Sequence, residues 1–444
     1  MRRSGIIVLL LAFFTAPLFA QTPMSLKECI DYGLKYHPSI AVSKNGIENA
    51  HQAAREAVAG YLPQVNANLN ATNNLKLQTN IIPAGVFGPE EQRITFGQRY
   101  TTALVADASQ PIYNASLLTA IKANRPNTEL ANLTLEQSRQ NIIYNVATAY
   151  YQMIISQRQL ALQVKNQERI QRLLKVSQLQ SEMGVAKKVD AKQVQVQLNN
   201  VNAQISIAEN NIQQAYNSLK NAMGIFQEGI EVTITDTARW LNQVPLQASN
   251  ENFRFNNTVD FQLQEKQIEL YDIQAKSIKA NNYPTLSLFG QYGLNGFGNT
   301  ANDALSRYFD YGSVGIRATV SLFDGFRRSA QYREAIIRRD NARLNQTISQ
   351  ASQNLQFLNA GTRVNRAKTT LGVNRDNVDL AAEVYENTAL QYRQGVGTLS
   401  DMLNAESSYN DAQNNYIQSL VDYYLARLDV ARSNTTLEDY YKSL

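Results

Sequence analysis

The residues that could carry chemistry are few and scattered. His37 and His51 are the only histidines, and Cys29 is the only cysteine, in a chain of 444 residues. An intramolecular disulfide and a cysteine metal cluster are thereby excluded. The sequence holds no Ser/His/Asp arrangement, no P-loop and no metal-ligand spacing, so neither an enzyme nor a bound cofactor is expected. Gly293-Leu-Asn-Gly296-Phe-Gly298 has Gly-rich spacing. It lies between two alternating segments rather than between a strand and a helix, so a nucleotide reading fails. What remains is a pair of acids, Asp190 and Asp401, in matching places of two similar stretches. An acid there is favoured by the helix dipole at a helix start, and it could equally serve a specific site at the end of a helix pair.

The two stretches run from Met183 to Met223 and from Gln394 to Arg432. In the first, Val194, Leu198, Val201, Ile205, Ala208, Ile212, Ala215 and Leu219 step by four and three. In the second, Ala405, Tyr409, Ala412, Tyr416, Ser419, Tyr423, Ala426 and Val430 do the same. The offset pairs Gly184 with Gly395 and Asp190 with Asp401. A repeat of 3.5 residues signals helices packed by knobs into holes, and its recurrence in one register signals an internal duplication. A preceding helix carries the same alternation through Ile142, Val146, Ala149, Met153, Ser156 and Leu160, with Ile170, Leu174 and Ser177 on its extension. Its counterpart carries Leu344, Ile348, Ala351, Leu355 and Leu358. Pro126 is expected to kink the first of these helices or restart it. At about 70 residues each they would reach ~100 Å at 1.5 Å per residue.

Between helices the period drops to two. Val65, Ala67, Leu69 and Ala71 alternate with Asn66, Asn68, Asn70 and Thr72, and a second segment surrounds Leu104. Pro111 to Asn114 is expected to end that hairpin. The pattern recurs at Leu286–Leu294 and Val314–Leu322, joined by a Gly- and Asn-rich loop from Asn295 to about Asp310. Earlier, Ser25 to Tyr36 reads as a short amphipathic helix broken at His37-Pro38, and Ser39 can cap the next one.

Met1 to Ala20 reads as a secretory signal, with Arg2 and Arg3 before an apolar run from Ile6 to Phe14. The alternative is an uncleaved anchor, for which the run is short. Cys29 lies nine residues past the expected cut, a poor place for lipid attachment. The formal charge of +5 is too small and dispersed to imply nucleic acid. No later run of 18 apolar residues exists, so a membrane span of the mature chain must consist of strands.

The expected order is therefore a signal peptide (1–20), N-terminal helices (21–60), a hairpin (61–113), a helical repeat (114–224) and a mixed insertion (225–256) holding the lone Trp240. Then come a helix (257–282), a second hairpin (283–323), a second helical repeat (324–434) and a tail (435–444). The fold class is mainly α with a small β part, internally duplicated. Four strands cannot close a barrel, and open edges are not tolerated in lipid. If the strands span a membrane, three chains would supply twelve. Small or tyrosyl seam residues suit a ring of helices around water. The alternatives are a solvated coiled-coil stalk and an ordinary sheet, which together would describe a secreted structural or adhesive protein.

Several local patterns bear on the choice. They are Ser25-Leu-Lys-Glu-Cys-Ile30 with His37-Pro38, Asn145-Val-Ala-Thr-Ala-Tyr-Tyr151, Ser321-Leu-Phe-Asp-Gly325, and Tyr392-Arg-Gln-Gly395 followed by Asp401-Met-Leu-Asn-Ala405. In that order and spacing the chain resembles the TolC-type outer-membrane efflux proteins, the outer membrane factor family, over nearly its whole mature length. The resemblance implies a homotrimer with a twelve-stranded β-barrel in the outer membrane and a helical α-barrel tunnel through the periplasm of a Gram-negative bacterium. It implies an equatorial belt built from residues 225–250 and the C-terminal tail. The implied function is the exit duct of a tripartite efflux or type I secretion system. Its partners would be outer-membrane lipid, a periplasmic adaptor (a membrane fusion protein) and an inner-membrane pump of RND or ABC type. Tyr392, Asp401 and Asp190 match family gate positions. Asn404 and Gly397 are departures, standing where the best-known member of the family has a second acid and an arginine. Gly184, Val185, Gly395, Val396 and Gly397 stand at the tips on which adaptor hairpins sit.

Overall fold

A computed structural model describes residues 23–85, 88–90, 92–226, 231–235 and 254–444. The expected signal peptide, Trp240 and most of the insertion lie outside these residues. The chain divides into two compact units. One comprises the described parts of Met1–Val42, Leu135–Thr258 and Gln350–Leu444, and the other Ser43–Thr134 and Val259–Ser349.

In chain order the described elements are as follows. Strand β1 (Pro23–Met24) precedes helices α1 (Leu26–Tyr36) and α2 (Pro38–Ala59). Strands β2 (Gln64–Asn73), β3 (Thr79–Ile82), β4 (Gln92–Thr95) and β5 (Tyr100–Tyr113) come next, then helices α3 (Ala115–Ile121), α4 (Asn124–Glu182) and α5 (Lys188–Met223). The second half holds β6 (Thr233–Ile234), α6 (Val259–Ala280), β7 (Thr285–Gly298), α7 (Ala301–Ser306) and β8 (Tyr308–Thr319). It ends with α8 (Arg327–Arg393), α9 (Leu399–Ser433) and α10 (Leu437–Ser443). None of the described helices is long and apolar enough to cross a membrane.

In the first unit α1 starts with a capping box, Ser25 accepting the Glu28 amide and Glu28 accepting that of Ser25 at 2.7 Å. The second helix starts two residues earlier than a Ser39 cap requires, at Pro38. Proline suits the first helical position because its missing N–H needs no partner there. The cap is the His37 imidazole, whose Nδ1 accepts the Ser39 amide at 3.1 Å, while Ser39 itself lies inside the helix. Burial holds that ring below the usual histidine range, which favours the neutral acceptor form. A core of Leu26, Ile30, Ile143, Val146, Tyr150, Leu219, Met223, Leu428 and Leu437 joins α1, α4, α5, α9 and α10. Each such side chain contributes roughly 1.5–3 kcal/mol by leaving water. Tyr151 stacks on Tyr424 with ring centroids 5.1 Å apart and meets the Tyr440 hydroxyl at 2.5 Å. β1 pairs in parallel with β6, so the described start of the insertion meets the N-terminus.

Gly224 closes α5 at a φ of +79°. A Cβ there would lie 2.8 Å from His37 Cα and 2.9 Å from its ring. Gly184 has a similar φ of +73° but open space around it. Gly184→Ala is expected to cost only the left-handed conformation, about 1–2 kcal/mol. Gly224→Ala is expected to cost more, because it also displaces the residue that ends α1 and caps α2. Denaturant unfolding of the two variants compares them directly, and equal losses would show that His37 yields freely.

The second unit holds an antiparallel sheet in the order β2-β5-β7-β8. The register sorts its faces. Val65, Ala67, Leu69 and Ala71 oppose Ala108, Ala106, Leu104 and Thr102. Those positions of β5 oppose Gly290, Tyr292, Leu294 and Gly296 of β7, and β7 in turn brings Ile316 opposite Leu288 and Val314 opposite Gly290. All of these share one apolar face. The other face carries Asn66, Asn68, Asn70, Asp107, Gln291, Ser313 and Arg317. Asn68 donates to Asp107 at 3.1 Å, and Arg317 lies 4.8 Å over the Phe289 ring.

Several expectations are corrected here. Strand β5 does not end at Pro111 but runs through it to Tyr113, with a register shift between them. Its pairing with β2 stops at Ser109, so beyond that point it has one neighbour, and a missing N–H is tolerated. The first long loop contains its own hairpin, β3 with β4. The Gly- and Asn-rich loop after Asn295 is instead more strand and the helix α7, capped by Thr300 accepting the Asp303 amide at 3.2 Å. Strand β8 stops at Thr319, leaving Leu322 exposed. The following joint turns on two successive residues of positive φ, Gly325 at 66° and Phe326 at 65°. Arg328 holds it, donating to Asp324 at 2.7 Å and to the Ser321 carbonyl at 2.8 Å. The Arg328 guanidinium keeps the Asp324 carboxyl below the usual range.

The heptad seams of α4, α5 and α9 are buried or half-buried, as the period requires. The α8 seam is different. Leu344, Ile348, Leu355 and Leu358 are each more than half exposed. The period of α8 is helical as expected, but among the described residues nothing covers Leu344 and Ile348 in the second unit or Leu355 and Leu358 in the first. Further along, the helix packs against its own chain, Val364 and Ala367 on Tyr423 and Ala426, and Tyr392 on α4, α5 and α9.

Candidate functional site: the two helix reversals

Both reversals fall in the first unit and share one construction. After α4, the Gly184 amide donates to Ser181 O at 3.2 Å, and the amides of Val185 and Ala186 donate to Gln180 O at 2.9 and 3.1 Å. After α8, the Gly395 amide donates to Tyr392 O at 3.1 Å, and those of Val396 and Gly397 donate to Gln391 O at 3.0 and 3.1 Å. Each closes the last carbonyls of a helix with a left-handed glycine, and Gly395 has a φ of +76°. The turns leave apolar side chains outside. Met183, Val185 and Val189 on one turn and Val396 on the other are all at least 60% exposed.

The acids start the returning helices. Asp190 accepts the Lys187 amide at 3.2 Å. Asp401 accepts the Thr398 hydroxyl at 2.6 Å, and Thr398 accepts the Asp401 amide at 3.2 Å. The Asp190 carboxylate thus satisfies an orphan amide at the start of α5, whereas at α9 the Thr398 hydroxyl satisfies the Asp401 amide and the Asp401 carboxylate orients that hydroxyl. Tyr392 is buried, and its backbone carbonyl accepts Gln180 Nε2 at 3.2 Å. Asn404 is exposed on α9. Among the described residues, no hydrogen bond within the chain links Tyr392, Asp190, Asp401 and Asn404. Tyr392 instead packs with Ile170, Leu173, Val194, Val201, Leu399 and Met402, which draws all four long helices together behind the turns.

Sequence reasoning missed the strongest polar feature of this region. Arg169 on α4 donates to Glu406 on α9 at 2.9 Å, with side chains only 10% and 4% exposed. The guanidinium lies 5.1 Å from the Tyr409 ring and 5.8 Å from that of Tyr385. Those two rings stack 5.5 Å apart. Burial pushes the Glu406 carboxyl up, and Arg169 offsets part of that. Burial likewise pushes the Tyr385 hydroxyl up, with the Glu406 charge adding to it. A signal existed, because Glu406 directly follows the seam residue Ala405 and Arg169 directly precedes Ile170.

These reversals, the long duplicated helices and the four-stranded sheet with one apolar face are the features of a channel-tunnel class. The profile of the outer membrane efflux protein family matches residues 30–225 and 255–433, and the chain belongs to that family. It is similar to the outer membrane protein TolC of Vibrio cholerae, 22% identical over 410 residues covering 90% of this chain and 87% of that one. It is also similar to the outer membrane efflux protein BepC of Brucella suis, at 20% identity with 86% and 79% covered. The Campylobacter jejuni CmeC outer membrane channel matches its fold with a TM-score of 0.73 at 14% identity, covering 94% of this chain and 89% of that chain. The outer membrane protein VceC of Vibrio cholerae matches at 0.70 and 17%, with 92% and 95% covered. The chain is therefore an outer-membrane efflux channel protein of mainly helical fold with a small β part. The reading as a secreted adhesive rod falls with that assignment.

Proposed function

We propose that this chain is the exit duct of a tripartite efflux or type I secretion system, working as a homotrimer. The observation that carries this is the sheet. Strands β2 and β8 each have one neighbour among the described residues, and one sheet face is apolar while the other is polar. Lipid tolerates such a sheet only when its edges are closed. Three copies supply twelve strands, within the range of outer-membrane barrels. The exposed α8 stripe of Leu344, Ile348, Leu355 and Leu358 then meets a neighbouring copy. The tail from 435 to 444 contributes to the belt around that assembly; most of its other expected part, 225–250, lies outside the described residues.

The reversals form the periplasmic mouth. The exposed apolar side chains beside Gly184 and Gly395, with Val185, Val396 and the compact Gly397, offer seats for the hairpins of a periplasmic adaptor. An inner-membrane pump of RND or ABC type delivers the cargo through it. Asp190 and Asp401 bring two carboxylates per chain, six per trimer, to the mouth. Tyr392 and Asn404 complete the gate region, with Tyr392 holding the helices in the closed arrangement.

Purified trimer in a planar bilayer tests this reading. The double variant Asp190→Ala, Asp401→Ala is expected to raise single-channel conductance. Unchanged conductance with a lowered unfolding midpoint would reduce both acids to helix caps. A protein that purifies as a detergent-free monomeric rod would refute the duct itself.

A further inference from the structure

We propose that α7, the short helix between β7 and β8, is an interfacial element whose partner is the lipid of the outer leaflet. The inference rests on reading the apolar sheet face as the lipid face.

The register decides where α7 sits. Thr102 opposes Gly296, and Tyr100 opposes Gly298, so these residues lie on the face of Leu69, Leu104 and Leu294. The α7 backbone packs on that same face. Thr102 is buried, and its hydroxyl donates to the Ala304 carbonyl at 2.5 Å. A Cβ on Gly296 would collide with that carbonyl, and one on Gly298 would collide with Asp303. Ala304 is 1% exposed. Two glycines and a threonine thus clear a seat in which the helix is docked from outside the sheet, not over its polar side. A hairpin loop that guarded the pore would have to lie on the polar face, where Phe297 and Phe309 face each other at 6.3 Å.

The seat is at the distal edge of the apolar band. Moving along the face from Gly290 and Val314, the band passes Tyr292 and Leu294 and reaches Asp310, the first acid on that face of β8. The helix covers the next row. Outward it shows Leu305, 58% exposed, followed by exposed Arg307 and half-exposed Tyr308. A leucine, an arginine and a tyrosine at a band edge suit the boundary between acyl chains and headgroups, where amphipathic side chains place apolar bodies inward and polar tips outward. The docked helix carries the apolar surface over the last rows of the ladder and sets the depth at which the barrel rests.

Spin-label accessibility tests this. Cys29 is buried, so Leu305→Cys can be labelled selectively in the full chain. The trimer is reconstituted in phosphatidylethanolamine and phosphatidylglycerol vesicles. Collisions with oxygen, which partitions into lipid, are compared with collisions with a water-soluble nickel chelate. Val314→Cys marks the lipid face, and Ser313→Cys marks the polar face. The expected oxygen-to-nickel ratio at 305 lies above that at 313 and below that at 314. A ratio at 305 no higher than at 313, with 314 high, overturns the assignment of α7 alone. A low ratio at 314 overturns the lipid-face reading and this inference with it.

Discussion

Replacing Glu406 with alanine is expected to destabilise each chain by about 3–5 kcal/mol, the usual cost of breaking a buried ion pair from one side. The reason is what remains. Arg169 would keep its charge at 10% exposure, beside the stacked Tyr385 and Tyr409 rings, without its carboxylate. Arg169→Met is expected to cost a similar amount. The double variant Arg169→Met, Glu406→Leu is expected to recover most of the loss, because burial weighs more on the Glu406 carboxyl than Arg169 offsets. A pair in that balance is replaceable by packed apolar side chains. The pH dependence has a definite sign. The folded-state pKa of Glu406 is raised above the unfolded value, so this group's favourable contribution is complete below the unfolded carboxylate pKa. It is lost as pH rises through the folded value. Acidification should therefore raise the stability of the parent relative to the double variant, which lacks this group. Denaturant unfolding of the four proteins, at neutral and acid pH, measures all of this. A single-variant loss below ~1 kcal/mol would place the pair effectively in solvent. Because the pair ties α4 to α9 behind the mouth, Glu406→Ala should also raise conductance in a bilayer, whereas the double variant should not.

What could be read in advance follows from where each interaction lives. Period is local, so the alternation around Leu69 and Val314 and the seams through Val201 and Ala426 were legible, as were the reversals at Gly184 and Gly395. Cap chemistry is local too, and Asp190 and Asp401 sit where a first-turn acid belongs. Misread ends had a single cause. Pro111 and the glycines of β7 look like breakers, but whether a breaker is tolerated depends on the neighbouring strand or helix. Gly298 admits Asp303, and Pro111 lies where β5 has one partner. The α7 helix did carry a local signal, Thr300 followed by Asp303, which the surrounding Gly and Asn masked. The Arg169–Glu406 pair had no such signal strong enough to use, since it joins residues 237 apart that meet only after two helices pack. The α8 stripe was legible as a stripe. Among the described residues nothing covers it, so its partner could not be read from the local pattern.

A one-residue shift along β8 should decide between assembly and selectivity. Val314→Arg is expected to block trimer formation, and Ser313→Arg is expected to leave it intact. Val314 is 79% exposed on the apolar face, opposite Gly290. An arginine there meets hydrocarbon, at about 2–4 kcal/mol near the midplane of a barrel. The penalty recurs in every copy of a closed assembly, and Gly290 offers no side chain to shield it. Ser313 faces the other way, opposite Gln291, among Asn66, Asn68 and Asp107. Water reaches a charge in that setting, so the chain still closes its barrel. The added guanidinium should instead shift the ion selectivity of the open pore toward anions, since lumen charges tune selectivity without loading the lipid face. Heat-resistant trimer on a gel reads the first effect, and reversal potential under a salt gradient reads the second. Loss of trimer with Ser313→Arg and tolerance of Val314→Arg would mean the register places the faces the other way round. The helix α7 would then lie inside the pore, because it is packed on the Val314 face.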